Sequence, residues 1–117
     1  MKNEDWDQLW RALADPTRRQ ILDLLVAEPR TTGDLARAFP RLTRFAVMKH
    51  LGLLEKAGLI SIRRQGRTRW NYLNQVPLRA LYERWLIRFM EPAAANLLAL
   101  KRHVEQNSEN ETREEET

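Results

Sequence analysis

The residues in this sequence best suited to chemistry are cations, and they come in two clusters. Arg44 and Lys49 fall in LTRFAVMKHLGLLEKAG, residues 42–58, with Phe45 and Met48 beside them. Arg63, Arg64, Arg67 and Arg69 put four arginines into seven residues, and no acid occurs from Leu59 to Tyr82. Cations at this density meet polyanions, since Arg and Lys neutralise phosphates and a guanidinium can also reach base edges. The groups an enzyme needs do not stand out. There are no cysteines, hence no thiolate nucleophile, thiolate metal ligand or disulfide. No nucleophile–base pair, Gly-rich phosphate loop or convergent carboxylate set is visible, so the sequence describes a binding protein, not an enzyme, with no cofactor. The histidines are His50 and His103. His103 with Glu105 falls short of the four ligands that zinc takes, so no metal site is expected.

The net charge of +4 on 117 residues conceals a split. Residues 105–117, EQNSENETREEET, hold six Glu and one Arg and carry −5, which leaves +9 on residues 1–104 (19 Lys and Arg against 10 Asp and Glu). A body this basic fits a polyanionic partner. The length suits one domain over residues 1–106, followed by a polar, disordered acidic tail over 107–117, whose charge would compete with such a partner for the basic body. No apolar run is long enough to span a membrane, and MKNEDWDQLW is acidic and amphipathic, unlike a signal peptide. The expectation is a cytoplasmic protein.

Those cations need rigid elements to hold them. Val47, Leu51 and Leu54 recur at i, i+4 and i+7, one face of a helix from about Thr43 to Ala57, with Thr43 as cap and Gly58 as its left-handed end. Arg44, Phe45, Met48 and Lys49 lie off that stripe in the first half. A helix that buries one side and offers its N-terminal half is how a recognition helix enters a DNA major groove; an ordinary amphipathic helix with solvated charges has the same pattern. Gly52 in mid-helix, about 1 kcal/mol worse than Ala, predicts a close backbone approach by another helix or a phosphate. Upstream, Thr31-Thr32-Gly33-Asp34 is a capping box followed by Leu35, Ala36 and Phe39, and Pro40 stops that short helix. A short helix, a tight turn and a longer helix make a helix-turn-helix.

The flanking segments complete the scaffold. Glu4–Leu13 sets Trp6, Leu9, Trp10 and Leu13 on one helical face, and two tryptophans there suit either a core or a subunit interface. Asp15-Pro16-Thr17 starts a second helix with Ile21, Leu24 and Leu25 inward and Arg18 and Arg19 outward. After Gly58 the period changes to two: Ile60 and Ile62 alternate with Ser61 and Arg63, Trp70 and Tyr72 with Arg69 and Asn71, around a Gln65-Gly66-Arg67 turn. This is a β-hairpin. Pro77 opens a helix with Leu78, Leu81, Tyr82, Trp85, Leu86, Phe89 and Met90 on a wide apolar face; Pro92 interrupts it, and Leu97, Leu98, Leu100 and Val104 resume the spacing. That much apolar surface exceeds what one small domain needs, and a symmetric dimer would cover it. The fold class is mainly α with a small β-hairpin: four helices, the hairpin, and one or two further helices.

Four stretches in order, ADPTRRQILDLL, TTGDLARAF, FAVMKHLGLLEKAGLI and RRQGRTRWNYL, resemble the ArsR-type family of winged helix-turn-helix regulators, over roughly residues 8–106. Glu83-Arg84-Trp85, with Leu100-Lys101-Arg102, is similar to a branch of the family that does not sense metals. The resemblance implies a sequence-specific, homodimeric regulator that binds double-stranded DNA, a repressor or autorepressor. It implies that Thr43, Arg44, Phe45, Met48, Lys49 and His50 face DNA, and that Arg63, Arg64, Arg67 and Arg69 of the wing touch backbone. It implies an interface built from the outer helices, with Trp6, Leu9, Trp10, Leu81, Trp85, Phe89 and Leu97. Phe45 and Met48 stand where many members carry small hydroxyl residues, which admits apolar contact with thymine methyls. The Cys and His sets of metal-responsive members are absent. The Trp- and Leu-rich helices suit a ligand pocket between subunits or plain interface core, and they name no effector. The alternative function is a winged-helix protein–protein module that has lost DNA binding, which the apolar ends suit and the basic wing does not.

Overall fold

The structure, a computed structural model, describes residues 2–90 and 100–108. The chain divides into two compact units, Met1–Arg79 and Ala80–Thr117. The elements in order are α1 (Asn3–Ala14), α2 (Pro16–Ala27), β1 (Arg30–Thr31), α3 (Thr32–Ala38), α4 (Arg44–Lys56), β2 (Ile60–Gln65), β3 (Thr68–Leu73) and α5 (Val76–Leu81). A π-helical turn over Tyr82–Leu86 and helical residues 87–90 follow, and residues 100–108 are helical. The apolar spacing after Pro77 carries no signal for the π turn. Helix at Asn107 and Ser108 runs past the expected start of the acidic tail. Pro92, Leu97, Leu98 and residues 109–117 lie outside the described residues.

Polar caps set where the helices of the first unit begin. The Asp15 carboxylate accepts from the Arg18 amide at 3.0 Å ahead of Pro16, the Thr31 hydroxyl from the Asp34 amide at 3.0 Å, and the Thr43 hydroxyl from the Ala46 amide at 3.0 Å. Each satisfies an amide that the helix leaves open. α4 ends as its sequence requires. Gly58 takes φ +77°, its amide donates to Glu55 O and that of Leu59 to Leu54 O, both at 2.9 Å. These two bonds define a Schellman turn, and Leu54 and Leu59, the pair it brings together, are both fully buried.

The core of this unit is one cluster: Leu9 and Ala12 from α1, Ile21, Leu22 and Leu25 from α2, Leu35 from α3, Val47, Leu51 and Leu54 from α4, then Leu59 and Ile60. Leu22 replaces the expected Leu24, which is half-buried. The sheet is antiparallel in the order β1-β3-β2. The hairpin register runs from Ile60 opposite Leu73 to Gln65 opposite Thr68, so the loop is Gly66-Arg67 alone. Gly66 at φ +61° with a non-positive φ at Arg67 is a type II′ turn, whose twist suits the strands.

Two features depart from the sequence reading. β1 pairs Arg30 with Asn71 and Thr31 with Trp70, and two residues are too few to show a period. In β3 the buried member of the alternation is polar. Asn71, not Trp70 or Tyr72, is fully buried, opposite Ile62. Its amide nitrogen donates to Arg30 O at 3.2 Å and to the Thr32 hydroxyl at 3.1 Å. The nitrogen of this buried amide is thereby satisfied, its Oδ1 is buried with no partner among the described residues, and the two bonds tie the hairpin to the start of α3. At the other end, Asn74 donates from its side chain to Gly58 O at 2.9 Å and from its backbone to Leu59 O at 2.8 Å. The wing is thereby fixed at its base to both helices of the helix-turn-helix.

Candidate nucleic-acid interface

α3, a tight turn closed by Leu42 N donating to Phe39 O at 2.9 Å, and α4 form the helix-turn-helix. With Val47, Leu51 and Leu54 turned inward, the opposite side of α4 is left to solvent: Arg44, Phe45 and Lys49 are exposed and Met48 is half-buried. The start of α3, the first half of α4 and the tip of the hairpin enclose a groove of about 720 Å³ lined by Thr31, Thr32, Gly33, Arg37, Arg44, Phe45, Met48, Arg67, Thr68 and Arg69. Four of those residues are arginines and none is an acid. Asp34 lies close by, but it is taken up by Arg37 and by the Thr31 cap.

Five of the predicted DNA-facing residues meet in this groove: Arg44, Phe45, Met48, Arg67 and Arg69. Arg69 packs its Nη1 at 4.0 Å from Met48 Sδ, which joins wing to helix, and its Nε is buried without a hydrogen-bond partner among the described residues. Arg64 sits directly opposite Arg69 in the ladder. Like charges facing each other across strands are unfavourable, and an anion between them relieves the repulsion. Thr43 and Lys49 are exposed on α4 outside the groove lining. Arg63 lies on the other sheet face, opposite Trp70, with its guanidinium carbon 5.4 Å from the centre of the Tyr72 ring, a cation–π contact.

His50 departs from its expected place. Its ring is half-buried against the start of α2, with Nδ1 3.2 Å from Arg18 Nη1 and 3.9 Å from Asp15 Oδ2. Arg18, expected to point outward, is the hub of this cluster: its Nε donates to Ala12 O at 2.9 Å and its Nη2 to Arg11 O at 2.8 Å. A guanidinium only donates, so in the contact with Arg18 it is Nδ1 that accepts. Asp15 is held below its ordinary carboxylate pKa chiefly by the Arg18 amide; burial, the next largest effect, opposes this, and the Arg18 charge adds to the lowering. Arg18 thus joins α1, α2 and α4 and carries the helix that bears Arg44. Its only sequence signal is its place three residues after the cap. Gly52 is exposed, and a side chain there would meet nothing within 4 Å, so among the described residues no helix makes the close approach, one of the two expected of it.

Of the predicted interface residues, Leu9 and Leu81 are covered by the chain itself, at 0% and 5% exposure, and are not available to a partner. Trp6 is half-buried, and Trp10, Trp85 and Phe89 are exposed. Trp85 and Phe89 have ring centres 4.8 Å apart. Leu97 lies outside the described residues. Among the described residues, no three of His, Cys, Asp and Glu gather as a metal site would need, and no helix is long and apolar enough to cross a membrane.

A model of a helix-turn-helix domain matches residues 13–63. The chain is similar to the transcriptional repressor SdpR of Bacillus subtilis, 34% identical over 84 residues that cover 72% of this chain and 91% of that protein. It is 43% identical over 75 residues to the HTH-type transcriptional regulator Rv2034 of Mycobacterium tuberculosis, covering 64% and 69%. Among solved structures, an ArsR family transcriptional regulator superposes with a TM-score of 0.71 at 35% identity, over 80% of this chain and 95% of that one.

Proposed function

This chain belongs to the ArsR-type family of winged helix-turn-helix transcriptional regulators, DNA-binding proteins and not enzymes, and on that premise we propose that it is a homodimeric repressor or autorepressor in the cytoplasm. α4 enters the major groove with Thr43, Arg44, Phe45, Met48 and Lys49 toward base edges and the nearest phosphates. The wing lays Arg64, Arg67 and Arg69 along the backbone, which positions the protein without reading sequence, while Arg63 packs on Tyr72. His50 acts one step back, holding α4 to α2 through Arg18. Residues 1–106 work as the binding and dimerising part, with 107–117 as an acidic tail, and the exposed aromatics Trp10, Trp85 and Phe89, with Trp6, supply the interface. Two copies place two recognition helices on half-sites about 10 bp apart, and occupancy of a promoter excludes transcription.

The observation that carries this reading is the acid-free groove with Arg37, Arg44, Arg67 and Arg69 around the exposed half of α4. The experiment is selection of binding sites from random duplexes, followed by footprinting on the DNA upstream of its own gene. A pseudo-palindromic consensus protected over two adjacent turns supports the proposal. Recovery of duplexes with no common sequence removes the sequence-specific part of it.

A further inference from the structure

We propose that Phe45, backed by Met48, reads the 5-methyl group of thymine; this rests on the reading that α4 enters the major groove. Phe45 is 79% exposed, the most exposed aromatic ring among the described residues. It stands second in α4, on the free side of a helix whose other side supplies the core. A scattered apolar side chain on a surface is ordinary, but this one is not scattered. Met48 follows at i+3, the spacing that puts two side chains on one helical face, and both line a groove whose other large side chains are Arg37, Arg44, Arg67 and Arg69. An apolar pair inside a cationic groove has no use for a phosphate. The base edges of the major groove present donors and acceptors, and the thymine methyl is the apolar feature among them. Arg69, against Met48 Sδ at 4.0 Å, limits where the thioether can move.

The test is a uracil scan. In a duplex selected by the wild-type protein, each thymine is replaced singly by deoxyuridine, which keeps pairing and the O4 acceptor and removes only the methyl. Wild-type affinity should fall about fourfold at one or more positions in each half-site, equivalent to ~0.8 kcal/mol for one buried methyl at 1.4 kcal/mol per tenfold. Phe45→Ala, measured at a salt concentration low enough for phosphate contacts to hold the complex, should bind thymine and uracil duplexes alike. Met48→Ala should shrink the uracil penalty. A flat scan with the wild-type protein overturns the inference, and so does a Phe45→Ala protein that keeps the full penalty. Failure of the wild-type protein to bind any duplex is a separate result that defeats the parent reading.

Discussion

Arg44 and Asp15 use charge in opposite ways, one toward a partner and one within the fold. Arg44 is exposed at the first position of α4 with the groove on one side. If it reads a base, Arg44→Ala costs about 1–3 kcal/mol of binding and relaxes preference at one position; a titration against single-base variants checks this, and unchanged affinity and preference would assign the reading elsewhere. Asp15 caps α2 and faces Arg18 and His50. Because its folded pKa is depressed, the stability it supplies is fully present above the ordinary carboxylate pKa of about 3.9 and is lost as pH falls through its lower folded value. Urea midpoints taken between about pH 6 and pH 3 should therefore fall more steeply for the wild type than for Asp15→Asn, which keeps a capping oxygen but does not titrate.

The helices are the elements most legible in the sequence, because their ends are written locally. Asp15, Thr31 and Thr43 cap where their types and spacing predict, Gly58 closes α4, and the 3.6-residue stripe of α4 is buried as read. What escaped depends on partners far away in the chain. Asn71 looks like the outward member of an alternating strand, yet it is buried because Arg30 and Thr32, about forty residues earlier, accept from its amide. Arg18 looks like a solvated helix charge until α1 carbonyls and His50 surround it. The same logic sorted the candidate site: Arg44, Phe45, Met48, Arg67 and Arg69 converge, while Arg63 turns to Tyr72 and His50 to α2. Asn71→Ala should thus cost about 1–3 kcal/mol in chemical denaturation, the range for stranding a buried polar partner. An Asn71→Ala protein as stable as the wild type would show that the wing does not depend on this tie.

For the whole molecule, the proposed dimer is tested through the exposed aromatics. Trp10 in the first unit and Trp85 and Phe89 in the second are exposed, and interfaces draw on such aromatic anchors. Sedimentation at micromolar concentration should give a dimer, and a paired Trp85→Ala and Phe89→Ala substitution should shift it toward monomer and weaken duplex binding with it. A wild-type protein that sediments as a monomer while still protecting two half-sites would sever assembly from recognition. The charge split belongs to this scale as well: +9 over residues 1–104 is the reservoir of cations that a duplex would neutralise.

The central claim is that the cations around α4 and the wing tip meet duplex phosphates, and the salt dependence of binding measures it most directly. Affinity for one promoter duplex is followed between about 50 and 200 mM salt for the wild type and for Arg67→Ala, Arg69→Ala and their combination. We predict a steep negative slope of log affinity against log salt that becomes shallower by about one unit with each arginine removed. Equal slopes in all four proteins, or no duplex binding at the lowest salt, would contradict it.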